Sequence, residues 1–427
     1  MTGSTPAEPS WLGRRLELRI GKVAPGGHCV ARHAGRVVFV RHCLPGELVL
    51  AEVTEDRGGS FCRADAVEIR EPAPERVSPP CKYARPGGCG GCDFQHVTPV
   101  GQRALKAAVV AEQLSRLAGI DREVEVHPLP GRPDGLGWRR RIRFAVDRDG
   151  RLALHPHRSS DTVAIDRCLL GADGVGDAPA DSRSWSGWDQ VEVAVDDDAV
   201  VAVVGYRQQP ATAGQRNRNR HQRRTAELLS DTRALHYRVA GRQFTLEPSG
   251  FWQTHPQAAE QFSAAVLAGA DPRPGERALD LFAGSGLFTA ALATVVGPSG
   301  RVLGLEGNAA AVRAAAGNLA GTDWAGVRRS SVTAATVRAA VAELGRPDVV
   351  VLDPPRTGAG ADVLRAALAA EPRVLVYVAC DPAALARDLR IALAEGWQLA
   401  ELTAFDAFPM THHVECVAVL AAAEPVG

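Results

Sequence analysis

The feature that most constrains the fold of this sequence is a series of short apolar segments in its C-terminal part. Each is followed by a stretch whose apolar residues have helical spacing. The apolar segments are residues 277–281, 302–305, 349–352 and 374–378, and the helices are expected to begin at Leu287, Asn308, Asp362 and Pro382. Strands that are apolar throughout and alternate with helices form a parallel sheet covered on both faces. The sequence therefore predicts an α/β domain.

Composition and charge limit the class of protein. The 427 residues include 49 basic and 49 acidic side chains, so the whole chain has no excess charge that would attract an anionic partner. No window approaches the roughly 18 consecutive apolar residues of a membrane span, and the N-terminus is charged where a signal peptide is apolar. The nine cysteines are too few for a disulfide scaffold and are expected to be reduced thiols or ligands. We expect a cytoplasmic protein without a membrane partner, and we infer no obligate protein partner.

A glycine-rich turn follows the first strand of the α/β region. Asp280-Leu-Phe-Ala-Gly284-Ser-Gly286 opens a helix, and Glu306 stands at the end of the next strand, where a carboxylate can accept hydrogen bonds from ribose hydroxyls. NAD enzymes share this arrangement, and a purely structural turn also explains it. The turn alone therefore does not identify the ligand.

Two further strand ends separate these alternatives. Asp353-Pro-Pro-Arg356 and Ala379-Cys380-Asp-Pro382 follow predicted strands, and ligands of open parallel sheets bind at the carboxyl ends of strands. A dinucleotide dehydrogenase has no use for an acidic Asp-Pro-Pro and a Cys-Asp-Pro at this edge. An S-adenosylmethionine enzyme that acts on a bound base does, so the pattern favours a methyltransferase.

The N-terminal part has a different pattern. Residues 11–70 contain short alternating or β-branched segments separated by glycine pairs, which predict a small barrel, and a proline-rich stretch after them predicts a linker. A helix is expected over about 101–117, and the residues from 124 onward again resemble strands. We predict three domains, with the central one at 71–246 and the last one at 247–427.

Several segments, in order along the chain, resemble the RNA uridine-5-methyltransferases. They are Asp280-Leu-Phe-x-Gly-x-Gly-x-Phe288, Asp353-Pro-Pro-Arg-x-Gly358, Tyr377-Val-Ala-Cys-Asp-Pro382 with Leu385-Ala-Arg-Asp388, and Asp406-x-Phe-Pro-x-Thr-x-His-Val-Glu415. Gly88-Cys89-Gly-Gly-Cys92-Asp-Phe-Gln-His96 resembles the iron–sulfur members, and the N-terminal barrel resembles a TRAM domain. The resemblance implies a class I S-adenosylmethionine methyltransferase domain (Rossmann-like), an OB-like TRAM barrel and a central β-rich domain. It also implies methylation of carbon 5 of a uridine in RNA, with ribosomal RNA favoured over transfer RNA.

That reaction points to two candidate catalytic residues. Carbon 5 of uracil is a poor nucleophile until a nucleophile adds to carbon 6, and Cys380 is the candidate thiolate. By resemblance, Glu415 is the general base that removes the proton from carbon 5. A buried structural cysteine and a surface glutamate on an edge strand are the alternatives. Asp381 replaces the Asn usual in the family, and its charge is expected to raise the pKa of the thiol.

The resemblance also assigns the cofactor contacts. S-adenosyl-L-methionine is expected to lie against Gln253, Phe282, Gly284, Glu306 and Asp353. His255, Ala283 and Leu287 depart from residues common in the family. Because of these departures and Asp381, the alternative function is a non-catalytic RNA-binding iron–sulfur protein with a degenerate methyltransferase fold.

Three cysteines close in sequence form a candidate metal site. Cys81, Cys89 and Cys92 offer soft thiolates, which suit zinc or an iron–sulfur cluster. No fourth ligand lies nearby in sequence. By resemblance it is Cys168, which gives a [4Fe-4S] cluster, and zinc is the main alternative.

Two arginine-rich segments are candidate RNA contacts, since guanidiniums pair with phosphates and stack on unpaired bases. Trp138-Arg-Arg-Arg-Ile-Arg143-Phe144 resembles a family segment that contacts RNA, whereas Arg216–Arg224 is either a second contact or a solvated loop. By family analogy, the helix near 101–119 packs against the catalytic domain. An amino-group methyltransferase is disfavoured because Arg356, rather than an aromatic residue, follows the Pro-Pro.

Overall fold

The computed structural model describes residues 10–178, 183–208 and 224–422. The first part is a six-stranded barrel with strand order β1-β5-β6-β4-β3-β2, in which β1 also contacts β3. Its strands are β1 (Arg15–Arg19), β2 (Val23–Ala24), β3 (His28–His33), β4 (Arg36–Arg41), β5 (Leu48–Glu55) and β6 (Phe61–Glu71). Alternate side chains point inward, and Val38 and Val40 in the barrel interior are fully buried.

A helical segment follows the barrel. Helix α1 (Pro99–Gln113) continues as one π-helical turn (Leu114–Ala118) and leads to the short strand β7 (Val126–Pro128). The sequence explains where α1 begins, because the Thr98 side chain accepts a hydrogen bond from a backbone N–H of the first turn and Pro99 lacks an N–H that would have no partner there. The structure thus contains a helix in the predicted region.

The central unit is a six-stranded antiparallel sheet with strand order β10-β9-β8-β11-β12-β13, followed by a hairpin of β14 and β15. The strands are β8 (Arg141–Val146), β9 (Leu152–Leu154), β10 (Val163–Ala164), β11 (Gln190–Val195), β12 (Val201–Gln208), β13 (Arg224–Leu228), β14 (Leu235–Val239) and β15 (Arg242–Leu246). Ala240 and Gly241 join the hairpin with φ angles of 48° and 77°. Two positive φ angles in a two-residue loop match the twist of the flanking strands.

The C-terminal part is an eight-stranded sheet with strand order β18-β17-β16-β19-β20-β22-β21-β7. Its remaining elements are α2 (Ala258–Ala270), β16 (Arg277–Leu281), α3 (Leu287–Val296), β17 (Arg301–Glu306), α4 (Ala309–Asn318), β18 (Ala325–Arg329), α5 (Ala334–Leu344), β19 (Val349–Leu352), α6 (Ala361–Leu368), β20 (Val374–Ala379), α7 (Pro382–Ala394), β21 (Trp397–Asp406) and β22 (Glu415–Ala422). The strands β16 to β20 run parallel, and β22 runs antiparallel to β20 and β21. The strand order reverses between β16 and β19, so a crevice is expected at their carboxyl ends.

The helical segment after the barrel joins this C-terminal sheet. Strand β7 pairs in parallel with β21, with Val126 opposite Ala404, and α1 packs against α7. The C-terminal sheet is therefore completed by residues that precede the central sheet in sequence. None of the helices within the described ranges is long and apolar enough to cross a membrane.

Candidate active site

A cavity of about 530 Å³ opens at the carboxyl ends of β16, β17 and β19. All five expected cofactor residues line it: Gln253, Phe282, Gly284, Glu306 and Asp353. They come from three strand ends and from the chain before α2. The topology thus brings together residues that are up to a hundred positions apart.

The glycine-rich turn forms the floor of this cavity. Gly284 has a φ of 55°, and Gly286, which precedes the first residue of α3, has a φ of 87°, so both adopt backbone conformations that favour glycine. Phe282 has a φ of 67°, a strained conformation for a non-glycine residue next to a ligand cavity. Glu306 holds the turn, because its carboxylate accepts hydrogen bonds from the backbone N–H groups of Gly284 at 3.0 Å and Asn308 at 2.6 Å. The remaining lone pairs of this carboxylate can accept hydrogen bonds from hydroxyl groups of a ligand.

Two acidic residues, Asp280 and the lining residue Asp353, lie at this end of the sheet. The Thr289 hydroxyl donates to Asp280 Oδ2 at 2.6 Å, while Oδ1 of the same buried carboxyl group has no hydrogen-bond partner within the described part of the chain. Burial raises the pKa of Asp280 to about 6. Burial and the charge of Asp280 raise the pKa of Asp353 to about 7. Both groups therefore bind protons more tightly than ordinary aspartates.

The two candidate catalytic residues lie at the same end of two neighbouring strands. Cys380 directly follows β20, and Glu415 is the first residue of β22. Because β20 and β22 pair antiparallel with Ala379 opposite Cys416, the register places Cys380 beside Glu415. Cys380 is half-buried, and Glu415 is 6% exposed. Neither is a surface residue, and neither lines the cofactor cavity itself.

Electrostatics couple this pair to the cofactor cavity through Asp353. Burial, and then the charges of Glu415 and Asp353, raise the pKa of Cys380 to about 12, whereas Arg356 acts to lower it. Burial raises the pKa of Glu415 well above its usual value, and Asp353 adds to this effect. A carboxyl group with a raised pKa is suited to accept a proton near neutral pH.

Asp381 behaves differently from the expectation. Its carboxylate caps α7, accepting a hydrogen bond at 2.7 Å from the backbone N–H of Ala384. The raised pKa of Cys380 has its causes in burial, Glu415 and Asp353 rather than in Asp381. Because Asn caps helices as well as Asp does, this departure from the family pattern keeps the local structure.

The loop 406–415, which ends at Glu415, is held by the segment that follows the barrel. Lys106 Nζ, fully buried, donates to Asp406 Oδ1 at 2.5 Å and to the Phe408 carbonyl at 3.0 Å. Burial lowers the pKa of Lys106, although Asp406 opposes this change. A buried cation without its carboxylate partner would be strongly destabilising.

A second set of contacts fixes the tip of the same loop. The Met410 carbonyl accepts hydrogen bonds from the backbone N–H groups of Asp93 at 2.9 Å and Phe94 at 3.0 Å. The Met410 N–H donates to Gln102 Oε1 at 2.7 Å. His412 Nδ1 lies 2.6 Å from Asp93 Oδ2. We name these contacts and the Lys106 ion pair the loop clamp.

Comparison with known proteins identifies the family. A family model described as tRNA (uracil-5-)-methyltransferase matches residues 218–423, and a TRAM domain model matches residues 9–67. A Streptomyces avermitilis protein described as an uncharacterized RNA methyltransferase is 42% identical over 96% of this chain and 98% of its own length. The 23S rRNA (uracil(1939)-C(5))-methyltransferase of Shewanella sp. strain ANA-3 is 30% identical over 97% of each chain. The chain belongs to the RNA uracil-5-methyltransferase family.

A solved structure shows the same fold. The tRNA (uracil-54, C5)-methyltransferase of Pyrococcus abyssi, in complex with S-adenosyl-L-homocysteine, matches with a TM-score of 0.68 and 22% identity over 95% of this chain and all of that one. The predicted Rossmann-like methyltransferase domain and N-terminal TRAM barrel are therefore confirmed. This RNA uracil-5-methyltransferase is an enzyme that uses S-adenosyl-L-methionine and acts on RNA.

The four candidate cysteine ligands of this RNA uracil-5-methyltransferase also come together. Cys81, Cys89, Cys92 and Cys168 line one small cavity between the cysteine loop and the central sheet. The backbone N–H of Gly91 donates to the sulfur of Cys89 at 3.4 Å, and Gln95 Nε2 donates to the sulfur of Cys92 at 3.1 Å. Yet no three Cys, His, Asp or Glu side chains in the described ranges converge closely enough to ligate a single ion.

The arginines of 138–144 form ion pairs within the central unit. Arg140 pairs with Asp197, and both Arg141 and Arg143 pair with Glu192 on the neighbouring strand, at 2.5 and 2.7 Å. Arg139 lines the cysteine cavity. Three of the four arginines thus have acidic partners in the central unit, and one of these three, Arg143, is also exposed to solvent. The second arginine-rich segment falls almost entirely outside the described residues.

Sequence reasoning missed the loop clamp of this RNA uracil-5-methyltransferase, and one signal pointed to it. Lys106 is one of only three lysines in a chain with 49 basic residues, and it lies on the apolar face of a predicted helix. The sequence also gave no indication of Phe251, which lines the cofactor cavity although it is 73% exposed. Two positions before Gln253, it offers a flat apolar surface at the mouth of the cavity.

Proposed function

We propose that this enzyme methylates carbon 5 of a uridine in RNA through a covalent adduct with Cys380, with Glu415 as the general base. One observation carries the proposal: the thiol and the buried carboxyl group stand side by side at the ends of β20 and β22, next to the cofactor cavity. Asp353, which lines that cavity, raises the pKa of both groups, and this supports a position of the pair close to the cofactor.

The proposed reaction uses these two side chains in successive steps. The Cys380 thiol loses its proton to the solvent, the thiolate adds to carbon 6 of uracil, and the electron pair of the carbon 5–carbon 6 double bond moves so that carbon 5 becomes enolate-like. Carbon 5 then takes the methyl group that bound S-adenosyl-L-methionine supplies. Glu415 removes the proton from carbon 5, and the carbon–sulfur bond breaks to restore the ring and the thiolate. Arg356 assists because its charge favours the ionised form of Cys380.

The cofactor contacts are proposed from the lining of the cavity. Glu306 accepts ribose hydroxyls, and the turn at Gly284 lets the backbone approach the ligand closely. Phe282, Asp353 and Gln253 line the same space and supply the remaining contacts. The cavity volume of about 530 Å³ is in the range of small-ligand sites.

Ribosomal RNA is the proposed target class, and the cytoplasm the proposed location. The Shewanella relative, matched over nearly the whole chain, is described as a 23S rRNA enzyme. The intact pair of Cys380 and Glu415 argues against the alternative of a degenerate, non-catalytic RNA-binding protein. The target carbon lies inside a stack in paired RNA, so the uridine is expected to be flipped or already unpaired.

We also propose a [4Fe-4S] cluster on Cys81, Cys89, Cys92 and Cys168. Four thiols around one cavity, with N–H donors directed at two sulfur atoms, suit a thiolate-bound cluster. Absorbance near about 400 nm and iron in anaerobically purified protein test this, and colourless protein with zinc would contradict it.

Trapping with 5-fluorouridine RNA tests the mechanism. Fluorine cannot leave carbon 5 as a proton does, so the wild type and a Cys62→Ala control should form a covalent complex stable in denaturing gels. Cys380→Ala should form none. Glu415→Gln should accumulate a methylated covalent adduct on ordinary RNA, visible by mass spectrometry. Methyl transfer by Cys380→Ala at the wild-type rate would refute the proposal.

A further inference from the structure

The turn that follows β19 carries the guanidinium group of Arg356. The backbone N–H of Gly358 donates to the Pro355 carbonyl at 2.8 Å, so Arg356 occupies the second position of a tight turn. Gly358 closes this turn with a φ of 91°, a conformation that favours glycine. Arg356 is exposed, and no acidic side chain within the described ranges forms an ion pair with it. The position of the guanidinium therefore depends on how the backbone of the turn is held.

Two buried side chains hold the end of this turn. The backbone N–H of Ala359 donates to Asp388 Oδ2 at 2.8 Å and to the hydroxyl oxygen of Tyr377 at 3.0 Å. The Tyr377 hydroxyl itself donates to Asp388 Oδ2 at 2.6 Å. Burial, and then the charge of Asp388, raise the pKa of Tyr377, so the hydroxyl stays protonated and remains a donor. We name these three hydrogen bonds the turn anchor.

The turn packs closely against the carboxylate of Asp388. A Cβ atom at Gly358 would lie 2.8 Å from Asp388 Oδ2, which is closer than side-chain carbon atoms come to an oxygen. The chain before the turn is held separately, because the backbone N–H of Asp353 donates to the Leu281 carbonyl at 3.2 Å. Loss of the turn anchor should therefore release Arg356 and leave Asp353 at the cofactor cavity.

The turn anchor connects the turn to the two elements that flank Cys380. Tyr377 lies on β20, three residues before Cys380, and Asp388 lies on α7, which begins two residues after Cys380. Burial is the main cause that raises the pKa of Cys380 to about 12, and the charge of Arg356 acts to lower it. A guanidinium held close to the sulfur thus favours the thiolate that the proposed addition step needs.

We propose that Tyr377 and Asp388 are positioning residues of the methylation reaction, which hold the turn so that the Arg356 guanidinium stays beside the Cys380 thiolate. The inference rests on the proposed function, since the thiolate matters only if Cys380 is the nucleophile. Neither Tyr377 nor Asp388 is among the described residues that line the cofactor cavity, so both act through Arg356. A buried carboxylate and a buried hydroxyl need hydrogen-bond partners, and the turn supplies one to each.

The relative rates at which iodoacetate and iodoacetamide alkylate Cys380 test this role. Both reagents react with the thiolate, so the ratio of the two rates cancels changes in the pKa and the burial of the thiol, whereas a nearby guanidinium attracts only the anionic iodoacetate. Arg356→Gln should lower this ratio about threefold, as expected for the loss of one charge several ångströms away in water. Asp388→Ala should lower it about as much.

Tyr377→Phe gives a milder form of the same test, because it removes one hydroxyl and keeps the ring that fills the core. It should lower the ratio about twofold, since Ala359 retains its hydrogen bond to Asp388. The ratios are measured at pH 8 on the full-length protein, by mass spectrometry of the Cys380 peptide. High salt should reduce all of these differences, because it screens the guanidinium.

Two variants serve as controls. Asp388→Asn keeps an oxygen that can accept both hydrogen bonds of the turn anchor, so it should retain the wild-type ratio. Tyr206→Phe removes another buried hydroxyl, which donates to Glu192 at 3.4 Å in the central sheet, and it should also retain the wild-type ratio. Asp388→Ala combined with Arg356→Gln should give the ratio of Arg356→Gln alone, because the turn anchor acts through Arg356.

Three results would overturn this proposal. The first is a wild-type ratio in both Asp388→Ala and Tyr377→Phe, and the second is a further fall in the double variant below Arg356→Gln alone. The third is an equal fall in either control. Alkylation needs no RNA, so it is independent of the trapping experiment: failure of the wild type to form the 5-fluorouridine adduct refutes the proposed function, whereas these three results refute only the positioning role.

Discussion

The two halves of the active site are supported by different parts of the chain. Among the residues that the structure describes, those that line the cofactor cavity lie between Leu246 and Pro355, and the carboxylate of one of them, Glu306, accepts hydrogen bonds from backbone groups of the neighbouring turn. The catalytic loop 406–415, by contrast, is held by residues 93–106 from the other end of the sequence. The proposed cofactor site is therefore built from one stretch of chain, whereas the loop that ends at the proposed base Glu415 depends on residues about three hundred positions earlier.

Among the variants considered, Lys106→Met should have the largest effect on the loop 406–415. The change leaves Asp406 buried without its partner and should lower the free energy of unfolding by about 3–5 kcal/mol. Methyl transfer should be lost, while folded protein still binds S-adenosyl-L-methionine by calorimetry. The control is Lys82→Met, which removes an exposed ion pair with Asp166 and should leave methyl transfer and S-adenosyl-L-methionine binding unchanged. Equal losses of cofactor binding and turnover in Lys106→Met would remove the distinction between the two halves.

A second prediction concerns the cofactor half alone. Burial raises the pKa of Asp280 to about 6, so the folded wild type retains a proton that the unfolded chain loses above pH 4. Wild-type stability should therefore fall relative to Asp280→Asn as the pH rises from about 4 to 7, by roughly 3 kcal/mol, because the substitution also removes the charge that raises the pKa of Asp353. Urea unfolding at several pH values measures this, with the exposed Asp149→Asn as control. Parallel curves for the wild type and Asp280→Asn would contradict the assignment.

A third prediction concerns the reactivity of the Cys380 thiol. The charge of Glu415 raises the pKa of Cys380 and that of Arg356 lowers it. Alkylation of Cys380 by iodoacetamide, followed by mass spectrometry of its peptide, should be severalfold faster in Glu415→Gln and severalfold slower in Arg356→Gln at pH 8. The wild-type rate should keep rising with pH well above neutrality. Identical rates in all three proteins would show that these charges do not act on the thiol.

The smallest expected effect is that of Asp381→Asn. Both side chains cap α7, so stability should change by less than about 0.5 kcal/mol and kcat by less than about twofold. Asp381→Ala, which removes the cap, should cost about 1 kcal/mol of stability. A large gain in kcat for Asp381→Asn, measured by transfer of labelled methyl groups, would instead show that the extra charge hinders the thiolate.

The fold of the C-terminal part was predictable because its signals are local. Each signal spans only a few residues: an apolar strand, a glycine-rich turn or a proline after a strand end. The parallel sheet then places Gly284, Glu306 and Asp353 at one edge. The antiparallel insertion of β22 between β20 and β21, which brings Glu415 next to Cys380, was not predicted, and the family resemblance supplied only the candidate role of Glu415. Periodicity does not determine which strand pairs with which.

Contacts between distant residues could not be predicted from the sequence. The arginines of 138–144 form a basic run, yet three of them pair with Asp197 and Glu192, which lie about fifty positions away. The loop clamp likewise joins residues about three hundred positions apart. Such pairs depend on the finished topology, so a charge run in sequence does not by itself indicate a surface.

The loop clamp has a consequence for the order in which the protein is made. Lys106 leaves the ribosome three hundred residues before Asp406, the carboxylate that neutralises it. Until the last strands are synthesised, α1 and β7 lack their neighbours, and the cysteine loop lacks the Met410 carbonyl that receives its amides. We therefore expect the barrel, which has its own core, to form first, and the loop 406–415 to take its final place only after the last strands are made.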